Sequence, residues 1–234
     1  SAAMIWKPST NSTTVTGVGL AGPTATGTAT AAAVSTTNKH TLAPRIDYLV
    51  TTAAATAVAG FRAGSNVLSV GGSSASLGGF KYALTWGPAT GVATTTNRAF
   101  AGLSTATAAP TDVEPSTGVN ILGMGWDAAD ANVQMMFNDG AGTATKVDLG
   151  ASFAVPTADR TALYKLEAYA PPGTTQSVQW RVTDLVSGAV AQGTQTTDLP
   201  GTTTLLNPRG WMSVGGTSSV IGLTLVGMYL DPLL

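Results

Sequence analysis

The oxygen-bearing side chains that lie closest together in the sequence are Asp127, Asp130, Asn132, Asn138 and Asp139. A calcium ion takes about 6 to 8 oxygen ligands from such groups, so a metal would be sought here first. The spacing lacks the alternate-position ligands and the closing Glu of the helix–loop–helix calcium motif. The competing reading is two turns, one at Asp127-Ala128-Ala129-Asp130 and one at Asn138-Asp139-Gly140. The expectation is that no metal is bound, and that Asp127, Asp130 and Asp139 are the residues that would carry one.

Glycoside hydrolysis needs two carboxyl groups about 5 to 9.5 Å apart. The chain has two glutamates. Glu114 sits in a proline-flanked loop, Glu167 sits on a strand face beside Lys165, and Asp127 or Asp130 could be recruited as a partner. No spacing places such a pair in a cleft. His40 is the single histidine. One histidine cannot build a multi-histidine metal site, and no second base of this type completes a serine triad. His40 therefore reads as structural or exposed. The chain is read as a non-enzyme without a cofactor.

Five tryptophans offer flat faces for sugar rings. Trp86 and Trp180 keep the phase of apolar neighbours two residues away, which marks them as core. Trp126 precedes Asp127, and Trp211 follows Arg209-Gly210, so these two sit at loop edges. Trp126, Arg209 and Trp211 are the ligand-binding candidates, with packing as the competing reading.

The elements that must hold these residues follow from composition. Of 234 residues, 38 are Thr, 37 Ala and 28 Gly, and only 10% are charged. An average soluble domain is about 25% charged. Long amphipathic helices need many Glu, Lys and Leu on their faces, which this chain lacks. The net charge of −1 comes without a basic run, so nucleic acid is not an expected partner. No apolar run reaches the roughly 18 residues of a membrane helix, and no membrane partner is expected. Cysteine is absent, so there is no disulfide framework.

Residues 8–41 hold almost no large side chains and alternate Thr with Ala and Gly, which suits extended chain. With so little to bury and so little charge, the segment reads as an arm held against another surface. From residue 42 on, runs with period-two alternation recur between turn signals. Phe80, Tyr82, Leu84 and Trp86 share a face. So do Val133, Met135 and Phe137, and again Val178, Trp180 and Val182. About ten such strands at turn spacings of roughly 8–12 residues predict an all-β antiparallel sandwich. The expected division is an extended arm over residues 1–41 and a β-sandwich over residues 42–234. Phe100 is expected to point inward with the residues named above.

The last run is apolar on both sides. Ile221, Leu223 and Leu225 occupy one face, Val226, Met228 and Leu230 the other, and Leu233 and Leu234 follow. A half-exposed antiparallel strand is polar on one side. Either the arm covers this strand or a second subunit does, so these six residues are the expected interface of a homo-oligomer.

Three stretches carry a resemblance. The first runs from Gly22-Pro23-Thr24-Ala25-Thr26-Gly27 to Ser35-Thr36-Thr37-Asn38. The second joins Arg98-Ala99-Phe100-Ala101-Gly102-Leu103 to Ala109-Pro110-Thr111 and Pro115-Ser116-Thr117. The third passes from Gly123 through Asn138-Asp139-Gly140 to Asp148-Leu149-Gly150. In order and spacing the chain resembles a module of tailed-bacteriophage virion proteins, such as tail fibres. The resemblance implies a concanavalin-like jelly roll exposed on a virion, often trimeric, with no shared catalytic residue. It implies a structural, tail-fibre-like role in assembly and host attachment, alongside other virion proteins. The alternatives are a lectin-like module that recognises a host cell-surface glycan, and a head fibre or capsid decoration protein.

Overall fold

The computed structural model describes residues 3–8 and 13–233, so residues 1, 2, 9–12 and 234 of the arm and sandwich lie outside it. Sixteen strands follow one another: β1 (Met4–Pro8), β2 (Val15–Val18), β3 (Thr24–Thr26), β4 (Thr28–Ala32), β5 (Arg45–Ala54), β6 (Val58–Arg62), β7 (Phe80–Thr90) and β8 (Arg98–Ser104), then β9 (Ile121–Trp126), β10 (Gln134–Asn138), β11 (Thr145–Asp148), β12 (Tyr164–Ala170), β13 (Val178–Asp184), β14 (Val190–Gln195), β15 (Asn207–Ser213) and β16 (Ser219–Pro232). The first sheet runs β14-β13-β12-β7-β16-β1-β2, and β5 also pairs β16 and carries β4 on its other edge. The second runs β11-β10-β9-β8-β15-β6-β3. Among the described residues every strand pairing is antiparallel. The two sheets form an antiparallel sandwich, as the turn spacing predicts, and it is of the concanavalin-like jelly-roll kind that the resemblance implies.

The core lies between the sheets. Phe80, Tyr82, Leu84, Trp86, Val178, Trp180 and Val182 all face it. Phe100 does not. On β8 the inward residues are Ala99, Ala101 and Leu103, and Phe100 joins a separate buried cluster with Ile121, Met136, Ala144 and Trp211. A Cβ on Gly123 would lie 2.7 Å from the Phe100 ring, so the glycine lets the ring lie down on the strand beside it. The alternation along β8 is apolar on both sides, and a one-residue error in phase exchanges the faces.

The N-terminal segment is extended, but the surface it lies against is the chain's own sandwich. β1 is inserted between β16 and β2, with Met4 opposite Leu230 and Trp6 opposite Met228. Trp6 is fully buried, its ring edge-on to Phe61, and its indole N–H donates to the Ala21 carbonyl at 3.0 Å. β2 borders the first sheet, β3 borders the second, and β4 covers β5. Short strands of small residues are well suited to edges, because their backbone pairs while few side chains need burial.

β16 explains the two-sided apolar run. One of its edges pairs β7 along most of its length, and the other pairs β5 first and β1 afterwards. The register slips between Leu225 and Gly227, leaving Val226 as an extra residue. Such a bulge resets the alternation of side chains. Ile221, Leu223, Leu225, Met228 and Leu230 are therefore all buried in one interior, while Val226 is half-buried. Their apolar character is accounted for within one chain, and the argument from these residues to a subunit interface falls away.

Candidate functional site

Alternation also fixes what the first sheet shows to solvent. With Phe80, Tyr82 and Leu84 inward, β7 presents Lys81, Ala83 and Thr85 outward. β12 presents Glu167 and Tyr169, and β13 presents Gln179 and Arg181. The registers line these up in two rows across the sheet. One row reads Thr194, Gln179, Tyr169, Lys81 and Asp231. The next reads Gln192, Arg181, Glu167, Ala83 and Tyr229. Ala83 is the one short side chain among long ones, and it leaves an open groove of about 660 Å³ between Tyr169 and Tyr229.

The groove is chemically mixed. Glu167 is held by Lys165, whose ammonium stands 2.6 Å from Oε1. Arg181 and Lys81 are exposed, and their side chains make no hydrogen bond or ion pair to any described residue. Burial, and then the neighbouring Asp231, push the Tyr229 hydroxyl above its usual range, so it stays protonated as a donor and acceptor. Two aromatic side chains and several uncommitted amide, guanidinium and ammonium groups thus share one depression. No sequence signal singled it out, because its members are spread over five strands, β14, β13, β12, β7 and β16, and only the register assembles them.

Apart from Glu167, the residues singled out in the sequence lie elsewhere. Trp126 is buried in the main core, stacked on Trp86, and its indole N–H donates to the Asn97 side-chain oxygen at 2.8 Å. Arg209 and Trp211 lie on β15 and face away from the core, beneath the connection formed by residues 105–120. Trp126 and Trp211 are thus on opposite faces of the second sheet and cannot grip one ligand. Packing accounts for Trp126 fully.

Asp127 and Asp130 do come together, around a lysine. The Lys146 ammonium lies 3.1 Å from Asp127 Oδ2 and 2.5 Å from Asp130 Oδ1. Burial alone would pull the Lys146 pKa down, but the hydrogen bonds to Asp130 and Asp127 outweigh it and raise it. The carboxylates are further engaged by the amides of Ser116 and Asp127. Asp139 is not in this cluster: it caps its own hairpin at the Ala141 amide, while its amide donates to Asp198. Among the described residues no group of three or more His, Cys, Asp or Glu side chains could hold a metal ion. Glu114 is paired to Arg98 at 3.0 Å beside the second sheet's outer face, and Glu167 is on the first sheet's, so the two glutamates cannot cooperate.

His40 is fully buried rather than exposed. The Asn38 side chain accepts from the Thr41 amide at 3.1 Å and caps the one-turn helix Lys39–Leu42, which turns His40 inward. Neither ring nitrogen has a hydrogen-bond partner among the described residues, and burial lowers the pKa to about 4.

No protein-family model matches the chain, and no curated sequence is similar to it. Solved structures are similar in fold. Peanut lectin aligns over 100% of this chain and 98% of its own, with 12% identity and a TM-score of 0.57. Lectin I from Ulex europaeus, in complex with the methyl glycoside of α-L-fucose, aligns over 99% and 97% with 10% identity and a TM-score of 0.53. A protein of unknown function from Shewanella oneidensis MR-1 aligns over 98% and 85% with 13% identity and a TM-score of 0.58. At such identities the likeness is one of fold. None of the three is described as a virion protein.

Proposed function

We propose that this protein is a non-enzymatic carbohydrate-binding module that takes a glycan on the solvent face of its first sheet. The observation that carries this is the groove over Ala83, with Tyr169 and Tyr229 on its flanks and Arg181, Lys81 and Gln179 within it. A sugar ring has a C–H face and a rim of hydroxyls. Aromatic side chains take the first, and planar polar groups take the second. The lectin fold of the similar structures supports the reading, and one of them holds a fucoside. The test is a glycan array with the isolated protein, followed by calorimetry on any sugar that binds. Tyr169→Ala and Arg181→Ala should each weaken binding about tenfold or more, given that hydrogen bonds to charged groups contribute about 1.5–3 kcal/mol. Absence of binding across the array, or variants that bind like the parent, would overturn it.

The finer reading, a tail-fibre-like virion protein that attaches to a host and assembles as a trimer, rests on the motif resemblance alone. A glycan-binding face is compatible with attachment. Blocking of phage adsorption by the isolated protein, and its mass by sedimentation equilibrium, would test the setting and the subunit number.

A further inference from the structure

The opposite side of the sandwich holds a second cavity. The connection from β8 to β9 spans residues 105–120 and crosses the outer face of the second sheet. Beneath it is a space of about 350 Å³, walled by Phe100, Ile121 and Trp211, with Val113 and Val119 at its exposed mouth and Arg209 inside. This size and mostly apolar lining, with Arg209 and the already paired Glu114 as its charged groups, match the general character of small-molecule sites.

Arg209 is the feature that needs explaining. It is only 6% exposed. One terminal nitrogen donates to the Ala106 carbonyl at 3.0 Å, the other donates to the Ala108 carbonyl at 3.4 Å, and Nε has no partner among the described residues. Its cross-strand neighbour in register is Arg62, which donates to the Thr107 carbonyl. Like charges directly opposite are unfavourable. No carboxylate among the described residues forms an ion pair with Arg209. The carboxylate that lines the cavity, Glu114, has both oxygens engaged, one by Arg98 and the other by the Ala128 amide. Asp112 is held by Arg98 and by the amides of Gly215 and Gly216. Burial first, and Arg62 second, lower the Arg209 pKa to about 10. A buried charge without a counterion is costly, and an anion from outside would relieve that cost.

We propose that this cavity binds a small amphipathic carboxylate, its head group on the Arg209 guanidinium and its apolar body against Phe100 and Trp211. A guanidinium matches a carboxylate in planar, two-point geometry. A neutral apolar molecule would fill the walls and leave the cation bare. A polysaccharide would be too polar for them. This site is independent of the glycan groove, which lies on the other sheet.

The test is calorimetry with octanoate, 1-octanol and octylamine, which share a tail and differ in head group. Octanoate should bind at least about tenfold more tightly than octanol, and octylamine should not bind; the margin follows from roughly 1.5–3 kcal/mol for a charged hydrogen-bonded head. Arg209→Met should erase the preference for octanoate over octanol. Val119→Trp, at the exposed mouth, should block octanoate while leaving the fold intact, and serves where Arg209→Met does not fold. Equal binding of octanoate and octanol, no octanoate binding at millimolar concentration, or unchanged octanoate affinity in either folded variant would overturn the proposal.

Discussion

Trp86 of β7 and Trp126 of β9 stack across the sandwich, with ring centroids 6.0 Å apart and planes 21° from parallel. The pair joins the two sheets, and the Trp126 indole is further tied to Asn97. Trp126→Ala should therefore destabilise the protein by about 3–5 kcal/mol, the usual cost of emptying a large aromatic site. Urea unfolding followed by circular dichroism would measure it. A loss under 1 kcal/mol would show that Trp126 is dispensable to the core.

The ammonium of Lys146 between Asp127 and Asp130 stands where a cation would be sought. Chelator and added calcium should both leave the melting temperature unchanged, since binding to the native state alone would raise it. Lys146→Met should lower stability by about 1–3 kcal/mol, because it leaves two partly buried carboxylates facing each other. A calcium-dependent rise in the melting temperature of the parent protein would contradict this.

Buried His40 makes stability depend on pH. In the unfolded chain it titrates near 6.5, and in the folded chain near 4. Between those values the unfolded state holds one more proton, so stability is full above about pH 6.5 and falls as pH drops toward 4. The loss from this group is up to about 3 kcal/mol. Denaturant titrations at pH 7.5 and 4.5 would show it, and His40→Gln should flatten the difference. An equally steep fall in the variant would assign the acid sensitivity to other groups.

Met228 and Leu230 lie in the interior beside β1, beyond the bulge at Val226. Met228→Asp should unfold the chain at every protein concentration, because an unpaired carboxylate would enter the core. A folded variant that had merely changed its sedimentation mass would instead mark Met228 as a subunit contact.

Composition and alternation determined a good deal on their own. Few charged residues, much Thr and Gly, and period-two runs such as Phe80-Tyr82-Leu84-Trp86 lead to an antiparallel sandwich, because local pattern alone decides which face of a strand can be wetted. The same pattern failed wherever both faces of a run were apolar. On β8 it could not tell that Ala99 and Leu103 face the core while Phe100 lies beneath a connection, and on β16 it could not show that Val226 is a bulge. The extended N-terminal segment was legible, but not its place beside β16, since strand pairing joins residues more than 200 positions apart, as Met4 and Leu230 are. Both binding surfaces are products of register. Tyr169, Ala83 and Tyr229 come from three strands, and Arg209 meets Phe100 and Val119 only once β15, β8 and the 105–120 connection have assembled. Side-chain periodicity is a property of one segment, whereas a site needs several segments aligned. Only tertiary structure supplies that alignment.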